Sequence, residues 1–342
     1  MRIAILSTSY PQDEADPSGH FVRAQADRLA ADGHRVTVLA PGNGGPVPAG
    51  GARVSLGASA LFGWPGALAK LRSRPTRLAE LPAFVLRAGR ALRTAGPFDR
   101  VVAHFIVPSG WPIGVSLHAP LEVRAHGADV RLLAAMPRAI SGRIVASLLG
   151  RGARFVFAAS SLRTQLVDAL PSRVAADLEA ASAVELPPLE MPCPSDLPAP
   201  WRERGVARPY AVWVGRLVPE KRPALAARAA LAAGVPLVVV GDGPEALPPG
   251  LIRVGRVPRD VALGWIAGAQ VLVSTSRDEA APSTVREARL LGVPVVATPA
   301  GDIREWSRAD AGIVVVATLA ELVAALKAAV AAPACVGADR RW

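Results

Sequence analysis

The sequence predicts an α/β protein with two doubly wound domains, each built on a parallel sheet. Segments typical of buried strands alternate with helix-like segments along the whole chain, and that order favours parallel sheets. The length of 342 residues exceeds what one hydrophobic core usually supports. Hydrophobic residues make up 51% of the chain and aromatic residues only 5%, a balance that suits helices packed on parallel strands.

The first half opens with a βαβ pattern. A strand is predicted at residues 2–7, a helix near 20–32 and a second strand at 35–39, with Gly33 at the left-handed position that ends the helix. Further strands are predicted at residues 100–103, 121–125 and 155–158, and helices near residues 78–94, 140–150 and 162–170. Five or more strands would complete this domain.

A proline-rich segment separates the two halves. Residues 185–201 contain six prolines, too many for a helix or a central strand, and are interpreted as the interdomain linker. The predicted domains are residues 1–192 and 193–342. A second series of strands is predicted at residues 211–214, 237–240, 252–254, 271–274, 295–297 and 313–316. Ligands of such sheets bind at the carboxyl ends of the strands, so functional residues are expected in the loops that follow them.

The chain shows no sign of secretion, membrane insertion or a disulfide framework. Its first residues have too short an apolar stretch for a signal peptide, and every long apolar segment is interrupted by charge, glycine or proline. Cys193 and Cys335 have no CxxC partner and no neighbouring histidine, which argues against a zinc site. We therefore expect a cytoplasmic protein without a bound metal.

The formal net charge of +11 is concentrated in one segment. Residues 68–93, called the basic stretch below, contain a single acidic residue, Glu80, among seven basic ones: Lys70, Arg72, Arg74, Arg77, Arg87, Arg90 and Arg93. The stretch could be a solvated helix face, or it could contact anionic lipid or an acidic acceptor. Nucleic acid is the least favoured partner, because no aromatic stacking residues lie between the arginines.

Two cations follow the first strand of the second half. Gly215 and Arg216 begin a turn that ends at Lys221, just before a predicted helix. A glycine allows a ligand to approach the backbone, and the two cations beside a helix N-terminus suit a diphosphate. The alternative is a solvated turn in which Glu220 and Lys221 form a surface ion pair.

Two carboxylates frame a later helix start. Glu279 lies in the loop before it and Glu287 about one turn inside it, with Pro282 and a capping Ser283 or Thr284 between them. Such carboxylates can accept hydrogen bonds from sugar and ribose hydroxyls, and first-turn N–H groups can face a phosphate. The alternative is a capping box, in which the carboxylate of Glu287 satisfies only the backbone N–H of Thr284.

Together these motifs resemble those of glycosyltransferase family 4. The turn that starts at Gly215 is similar to the family's G-R-x-x-x-E-K, residues 240–244 match V-G-x-G-P, and Glu279 with Glu287 matches E-x7-E. In the first half, residues 10–11, 19–21, 32–34, 126–129 and 159–160 are also similar to the family pattern. The resemblance covers nearly the whole chain and implies the GT-B fold, two Rossmann-like domains facing each other across a cleft.

The resemblance also implies roles for individual residues. Arg216 and Lys221 would hold the donor diphosphate with help from the backbone around Gly19. Glu279 would bind the transferred sugar, and His126 would lie near it, although a lone histidine at a strand end can also be structural. The remaining implied donor contacts are Gly215 beside the diphosphate, the turn of Pro282, Ser283 and Thr284 beside sugar and phosphate, Arg256 and Val257 beside the base, and Glu287 on the ribose.

The implied chemistry is metal-independent transfer with retention of anomeric configuration. The donor would be a UDP- or GDP-linked sugar, and the acceptor a glycan or a lipid-linked molecule at the inner face of a membrane, as in polysaccharide synthesis. No cofactor is expected. The leaving diphosphate would help to deprotonate the acceptor on the same face, while Arg216 and Lys221 stabilise its growing charge.

Two departures from the family pattern leave alternatives open. Ala280 replaces the common glycine after the first carboxylate, and the chain ends without the family's long helical tail, so an impaired relative that only binds sugar nucleotide or glycan remains an alternative. A phosphorylase-like use of the fold is also not excluded. A dinucleotide-dependent oxidoreductase is disfavoured, because the glycine motif at residues 241–246 leaves no room for the helix that would hold a pyrophosphate.

Overall fold

The computed structural model describes residues 1–13, 16, 18–63 and 66–332. The chain divides into two compact units, Met1–Pro188 (unit 1) and Leu189–Trp342 (unit 2), a division slightly before the predicted one at residues 192 and 193. The departure noted at the C-terminal tail and the position of Cys335 lie outside the described residues.

Unit 1 contains a seven-stranded parallel sheet with strand order β3-β2-β1-β4-β5-β6-β7. Its strands are β1 (Arg2–Leu6), β2 (Arg35–Ala40), β3 (Ala52–Ser55), β4 (Arg100–His104), β5 (Leu121–Ala125), β6 (Arg154–Phe157) and β7 (Ser182–Val184). The strand order reverses between β1 and β4. That switch point is where doubly wound sheets bind their ligands.

Helices connect these strands in the manner that parallel pairing requires. They are α1 (His20–Ala31), α2 (Ala67–Ser73), α3 (Leu81–Ala95), α4 (Ala128–Ala134), α5 (Arg138–Leu149), α6 (Ser160–Asp168) and α7 (Ser172–Ala180). The helix predicted near residues 78–94 begins later than expected. Pro75–Glu80 form a separate 3-10 turn, and Pro82 lies in the first turn of α3, where its missing N–H costs no intrahelical bond.

Unit 2 repeats the same topology with six parallel strands in the order β10-β9-β8-β11-β12-β13. Its strands are β8 (Ala211–Val214), β9 (Leu237–Val240), β10 (Ile252–Gly255), β11 (Val271–Ser274), β12 (Val295–Ala297) and β13 (Ile313–Val315). Its helices are α8 (Pro200–Glu203), α9 (Pro223–Ala233), α10 (Arg259–Gly268), α11 (Ser283–Leu290), α12 (Ile303–Ala309) and α13 (Leu319–Ala331). Its switch point lies between β8 and β11.

Every predicted strand is present within about one residue, but β3 and β7 were not predicted. Both lie at the edges of the unit 1 sheet and neither contains a fully buried residue. A half-exposed strand of three or four residues has almost no hydrophobic signal. The central strands β1, β4 and β5 are buried almost throughout, which is why their sequences read as continuous apolar runs.

The proline-rich segment is only partly a linker. Met191, Leu197 and Trp201 pack against the core of unit 2, and the segment includes the short helix α8. Two glycines of α10 make this packing close: a Cβ at Gly264 would lie 2.3 Å from the carbonyl oxygen of Pro198, and one at Gly268 would overlap the ring of Trp201. The second half of the predicted linker therefore belongs to unit 2. No helix in the part of the chain described is long and apolar enough to span a bilayer.

Candidate functional site

An ion pair joins the two charged motifs at the switch point of unit 2. The loop after β8 carries Lys221, the loop after β11 carries Glu279, and the ammonium of Lys221 bonds Oε1 of Glu279. The hydroxyl of Ser276 donates to the same oxygen at 2.9 Å. Lys221 bonds a residue of another loop and is only 23% exposed, which disfavours the alternative of a solvated turn. Lys221 and Glu279 meet because adjacent parallel strands end at the same edge of the sheet.

The glycine motif after β9 supports the loop that carries Arg216. The N–H of Gly215 donates to Val240, and the N–H of Leu217 donates to the carbonyl of Asp242 at 2.9 Å. A Cβ at Gly241 would lie 1.8 Å from the carbonyl oxygen of Gly215, so only glycine permits this approach. The motif therefore holds another loop in place. No helix follows it before β10, in agreement with the prediction against a dinucleotide site.

Arg222, which follows Lys221 directly, binds the ends of two further strands. Its guanidinium donates to the carbonyls of Thr275 at 2.7 Å and Ser276 at 3.3 Å, and to the hydroxyl of Thr298 at 2.9 Å. Its backbone has a φ of 47°, in the left-handed region that favours glycine. Burial lowers the pKa of this guanidinium, and nearby Arg277 lowers it further. Arg222 thus fixes the loop that leads to Glu279.

Thr275 holds the backbone of Lys221 and Arg222 in place. Its hydroxyl accepts a hydrogen bond from the indole of Trp213 at 3.1 Å and lies 3.0 and 2.9 Å from the carbonyls of Lys221 and Arg222. Thr275 is fully buried, so each of these bonds is closed to water. The position of Lys221 is therefore set by its backbone as well as by its ion pair with Glu279.

The carboxylate of Glu287 pairs with a residue that the sequence did not indicate. Its Oε1 accepts from Arg259 at the start of α10, with Nη2 at 2.8 Å and Nε at 3.2 Å. The side chain of Glu287 is only 7% exposed, so this charge needs a partner. The capping-box alternative is wrong, because α11 begins after Pro282 and no side chain caps it. The predicted capping role of Ser283 or Thr284 is wrong for the same reason.

The other predicted donor residues of unit 2 occupy loops at the same sheet edge. Arg216 is half-buried in the loop after β8. Arg256 is exposed after β10, while Val257 packs partly against the core of unit 2. Val257 leads into α10, the helix that begins at Arg259. The loop of Arg256 and Val257 is therefore adjacent in the chain to the partner of Glu287.

In unit 1, Gly19 closes the loop between β1 and α1. It adopts a left-handed φ of 67° at the N-terminus of α1, and a Cβ there would lie 2.3 Å from the carbonyl oxygen of Ser9. A side chain at this position would both strain the backbone and overlap the preceding loop. Glycine is thus required for the loop to fold back on itself.

His126 lies at the end of β5 inside an aromatic cluster. Its ring centroid is 4.4 Å from that of Phe21 and 5.2 Å from that of Phe105, and its Nε2 is 2.9 Å from Nδ1 of His104. Burial, with a smaller contribution from the charge of Arg124, lowers the pKa of His126 to about 3. Burial also lowers the pKa of His104 well below its usual value. Both rings are therefore neutral at physiological pH.

Asp129 anchors the two loops that carry these rings. Its Oδ1 accepts from the backbone N–H groups of His126 at 3.2 Å and Gly127 at 3.0 Å, and its Oδ2 accepts from that of Ile106 at 2.8 Å. Burial raises the pKa of this carboxyl, while the three N–H donors oppose the rise. Phe105, between the loops, has a φ of 75°, unusual for a bulky residue. The backbone around His126 is thus tightly held.

The basic stretch does not present all of its charges to solvent. Lys70 donates to the carbonyl of Phe62, and Glu80 accepts from the hydroxyl of Ser59 and from two backbone N–H groups. Among the basic side chains whose exposure the structure describes, Arg74, Arg87, Arg90 and Arg93 are exposed. Leu78 and Leu86 lie among them and are 55% and 73% exposed. The surface of this stretch is therefore both cationic and apolar.

No three His, Cys, Asp or Glu side chains come together to hold a metal ion within the described residues. Of the supporting residues, Arg222, Arg259 and His104 were missed by sequence reasoning, and Asp129 was noted only as part of the motif at residues 126–129. Arg222, Arg259 and Asp129 lie within three residues of a predicted residue, and His104 is the last residue of β4, at the edge where the ligands of parallel sheets bind. That position was the one available signal.

Two family models match the chain. Residues 18–175 match the model for glycosyltransferase family 4, and residues 208–332 match the model for glycosyl transferases group 1. A GDP-mannose-dependent alpha-mannosyltransferase of Mycolicibacterium smegmatis (strain ATCC 700084 / mc(2)155) is 26% identical over 328 residues, which is 89% of this chain and 81% of the relative. TuaC of Bacillus subtilis (strain 168), which carries the name of a teichuronic acid biosynthesis glycosyltransferase, is 30% identical over 60% of this chain and 54% of its own.

Solved structures share the fold. Sucrose-phosphate synthase from Thermosynechococcus elongatus superposes with a TM-score of 0.68 at 17% identity, covering 96% of this chain and 89% of that one. HepE of Anabaena, in complex with UDP and glucose, gives a TM-score of 0.67 at 18% identity, covering 97% and 90%. The topology of the two units and these matches establish the GT-B fold. The chain belongs to glycosyltransferase family 4.

Proposed function

We propose that this glycosyltransferase transfers a sugar from a nucleoside diphosphate to a glycan or lipid-linked acceptor with retention of anomeric configuration. The observation that carries the proposal is the ion pair between Lys221 and Glu279 at the switch point of unit 2. It places a cation suited to a diphosphate beside a carboxylate suited to sugar hydroxyls. Family membership supports the interpretation of the charged pair as a substrate site rather than a surface feature.

In this proposal the donor diphosphate binds Arg216 and Lys221 beside the backbone of Gly215. Glu279 already uses Oε1 for Lys221 and Ser276, which leaves Oε2 for the sugar. From unit 1, Gly19 and His126 are proposed to contact the diphosphate and the sugar. First-turn N–H groups of Ser283 and Thr284 have no acceptor inside α11 and can bind anionic oxygens, whereas Pro282 has no N–H.

The nucleoside is proposed to bind beside α10. Arg259 holds Oε1 of Glu287, so Oε2 can accept both hydroxyls of a ribose without leaving the buried charge unpaired. Arg256 and Val257, just before Arg259, are proposed to contact the base. The curated relative named for GDP-mannose makes GDP-mannose the first donor to test, and HepE in complex with UDP makes UDP-glucose the second.

The chemical step breaks the bond between the anomeric carbon and the diphosphate oxygen, and forms a bond from that carbon to an acceptor hydroxyl oxygen on the same face. The hydroxyl proton passes to the leaving diphosphate. Charge grows on the diphosphate as the sugar becomes oxocarbenium-like, so Arg216 and Lys221 act chiefly on the leaving group. In this proposal Arg216 and Lys221 stabilise the leaving charge in place of a metal ion, and direct attack by the acceptor on the same face requires no carboxylate nucleophile.

The acceptor is proposed to be an envelope polysaccharide or its lipid-linked precursor. The name of TuaC supports a polysaccharide product, and the exposed arginines and leucines of the basic stretch support contact with anionic lipid. We therefore propose that the enzyme acts at the inner face of a membrane.

Calorimetric titration with GDP and UDP tests the donor site. We expect micromolar binding of one nucleotide, and a loss of about tenfold in Glu287→Gln, since one good hydrogen bond to a charged group is worth roughly 1.5 kcal/mol or more. Glu305→Gln, on an exposed position of α12, is the matched control and should bind normally. If neither nucleotide binds the folded protein, the proposed donor is wrong.

An assay for transfer separates an enzyme from an impaired relative. Ala280 is the observation that favours impairment, because it stands where the family has glycine. GDP-mannose and UDP-glucose should each be incubated with lipid-linked and soluble glycan acceptors, and the anomeric configuration of the product determined by NMR. Binding without transfer or hydrolysis would support the impaired alternative, and an inverted product would contradict retention.

A further inference from the structure

One proton lies in the hydrogen bond between His104 and His126. Which of the two rings carries it determines whether His126 is a donor or an acceptor toward a ligand. Nδ1 of His104 lies 2.9 Å from Nε2 of His126, and the ring planes are only 5° apart. Each neutral imidazole carries a single N–H, so one ring must donate and the other accept. Two arrangements of protons are therefore available.

In the first arrangement His126 donates from Nε2. His104 then accepts at Nδ1 and must carry its own proton on Nε2. In the second arrangement His104 donates from Nδ1. His104 Nε2 then carries a lone pair, and the proton of His126 is on Nδ1. The two arrangements therefore differ at Nδ1 of His126, which is a hydrogen-bond acceptor in the first and a donor in the second.

The surroundings of His104 distinguish the two. His104 is 1% exposed, its Nε2 is closed off from solvent, and no described residue provides a hydrogen-bond partner for that atom. The first arrangement would bury an N–H without an acceptor, which folded proteins almost never do. The second buries only an unused lone pair, the more tolerated of the two defects.

We propose that His104 is a positioning residue that fixes His126 in its Nδ1–H form, so that His126 is a neutral hydrogen-bond donor to a hydroxyl oxygen of the donor sugar. The inference rests on the proposed contact between His126 and that sugar. The ring cannot turn freely to reverse its nitrogens, because Phe21 and Phe105 pack against it and Asp129 holds its backbone N–H.

The tautomer can be read without any ligand. Long-range ¹H–¹⁵N spectra of protein labelled in its histidines distinguish protonated from unprotonated ring nitrogens, and His104→Asn and His126→Asn assign the two rings. The expected result is a proton on Nδ1 of both His104 and His126. A proton on Nε2 of either ring overturns the proposal, whether or not the protein binds a sugar nucleotide.

Binding then tests the consequence. In His104→Asn the amide N–H₂ can still donate to His126, whereas in His104→Phe nothing can. We expect His104→Phe to bind the accepted sugar nucleotide, GDP-mannose or UDP-glucose, about tenfold more weakly, the value of roughly one hydrogen bond, with binding of GDP or UDP alone unchanged. His104→Asn should recover most of the loss and keep the Nδ1–H form of His126.

The controls separate the possible failures. Equal losses for the free nucleotide and the sugar nucleotide would show a general structural role for His104 and would overturn the proposal. If His104→Phe does not fold, the comparison of wild type with His104→Asn and the ligand-free spectra still decide the tautomer. If wild type binds no sugar nucleotide, the proposed function fails, while the spectra report on His104 independently.

Discussion

The ammonium of Lys221 and the carboxylate of Glu279 bond to each other although 58 residues separate them in the chain. The pair connects the loops after β8 and β11, the two strands at the switch point of unit 2. Each side chain neutralises the charge of the other. In the proposed site, a diphosphate would add negative charge beside Lys221 and a sugar would add hydroxyl donors beside Glu279, so both charges would stay compensated when substrate binds.

Removing the Lys221 charge should therefore act mainly on turnover. We expect Lys221→Gln to lower kcat by about 10²- to 10³-fold, since one preorganised group at a developing charge contributes roughly 3 to 4 kcal/mol. Steady-state kinetics with the accepted donor measures this. Arg228→Gln, at an exposed position of α9, is the control for net charge and should retain wild-type kcat. A change in KM alone for Lys221→Gln would show that the residue binds substrate without stabilising the leaving group.

Arg222 combines backbone strain with three hydrogen bonds, and two variants separate these effects. Arg222→Ala loses the bonds and keeps a φ of 47°, whereas Arg222→Gly loses the bonds and relieves the strain. We expect both variants to be less stable than wild type, with Arg222→Gly the more stable of the two by about 1 kcal/mol.

Urea unfolding followed by circular dichroism measures this order. Because Arg222 positions the loop that leads to Glu279, both variants should also lose activity, and the loss should not follow stability. A fully active Arg222→Gly protein would show that the guanidinium does not contribute to the site.

Structural elements could be predicted where neighbouring residues along the chain form a recognisable pattern of polarity or of glycine. Central strands are continuous apolar runs, and Gly33 ends α1 as expected. The charged motifs were visible because Lys221 and Glu279 lie in the segments that follow strands, and Glu287 lies in the helix that begins just after Glu279. Their grouping by sequence order proved informative, since the topology brings Lys221 and Glu279 into contact.

What the sequence could not show is which long-range partner each side chain takes. Glu287 satisfied a capping-box pattern three residues after Thr284, yet its charge is held by Arg259, 28 residues away. Buried charges select partners by tertiary proximity, and spacing along the chain does not contain that information. For the same reason no pattern in the sequence indicated a role for His104, whose ring bonds that of His126.

The histidine pair should make the protein sensitive to acid. The pKa of His126 is about 3 in the folded chain, against 6.5 for an ordinary histidine, and the pKa of His104 shifts in the same direction. Below pH 6.5 these two histidines therefore bind protons in the unfolded chain but stay unprotonated in the folded chain. Stability must fall as pH falls, by about 1.4 kcal/mol per pH unit for each such histidine.

Urea unfolding between pH 7 and pH 5 measures that slope. Carboxylates titrate in the same range, so the comparison is with a variant that carries both His104→Asn and His126→Asn. We expect the unfolding free energy of wild type to fall more steeply than that of the variant by at least about 1 kcal/mol per pH unit. Parallel slopes would mean that the two rings are accessible to protons in the folded state.

The basic stretch gives the last prediction, since its surface has the two properties that reversible membrane contact needs. Leu86 is 73% exposed on α3, and Arg90 lies one turn further along the same helix. Each arginine near an anionic surface contributes about 1 kcal/mol, and each buried methylene about 0.8 kcal/mol. Leu86→Ser combined with Arg90→Ser should therefore weaken binding to vesicles containing phosphatidylglycerol by at least tenfold at low salt. Arg304→Ser with Arg308→Ser removes two exposed arginines from α12 and should bind as wild type.

Sedimentation with vesicles at two ionic strengths distinguishes the sources of affinity. Attraction between exposed charges is screened over about 10 Å at 0.1 M salt, so wild type should be released as salt rises. Insertion of Leu86 is insensitive to screening and should leave a residual affinity that the single variant Leu86→Ser removes. If the α12 variant loses as much affinity as the α3 variant, binding follows net charge alone, and the basic stretch is not a membrane contact.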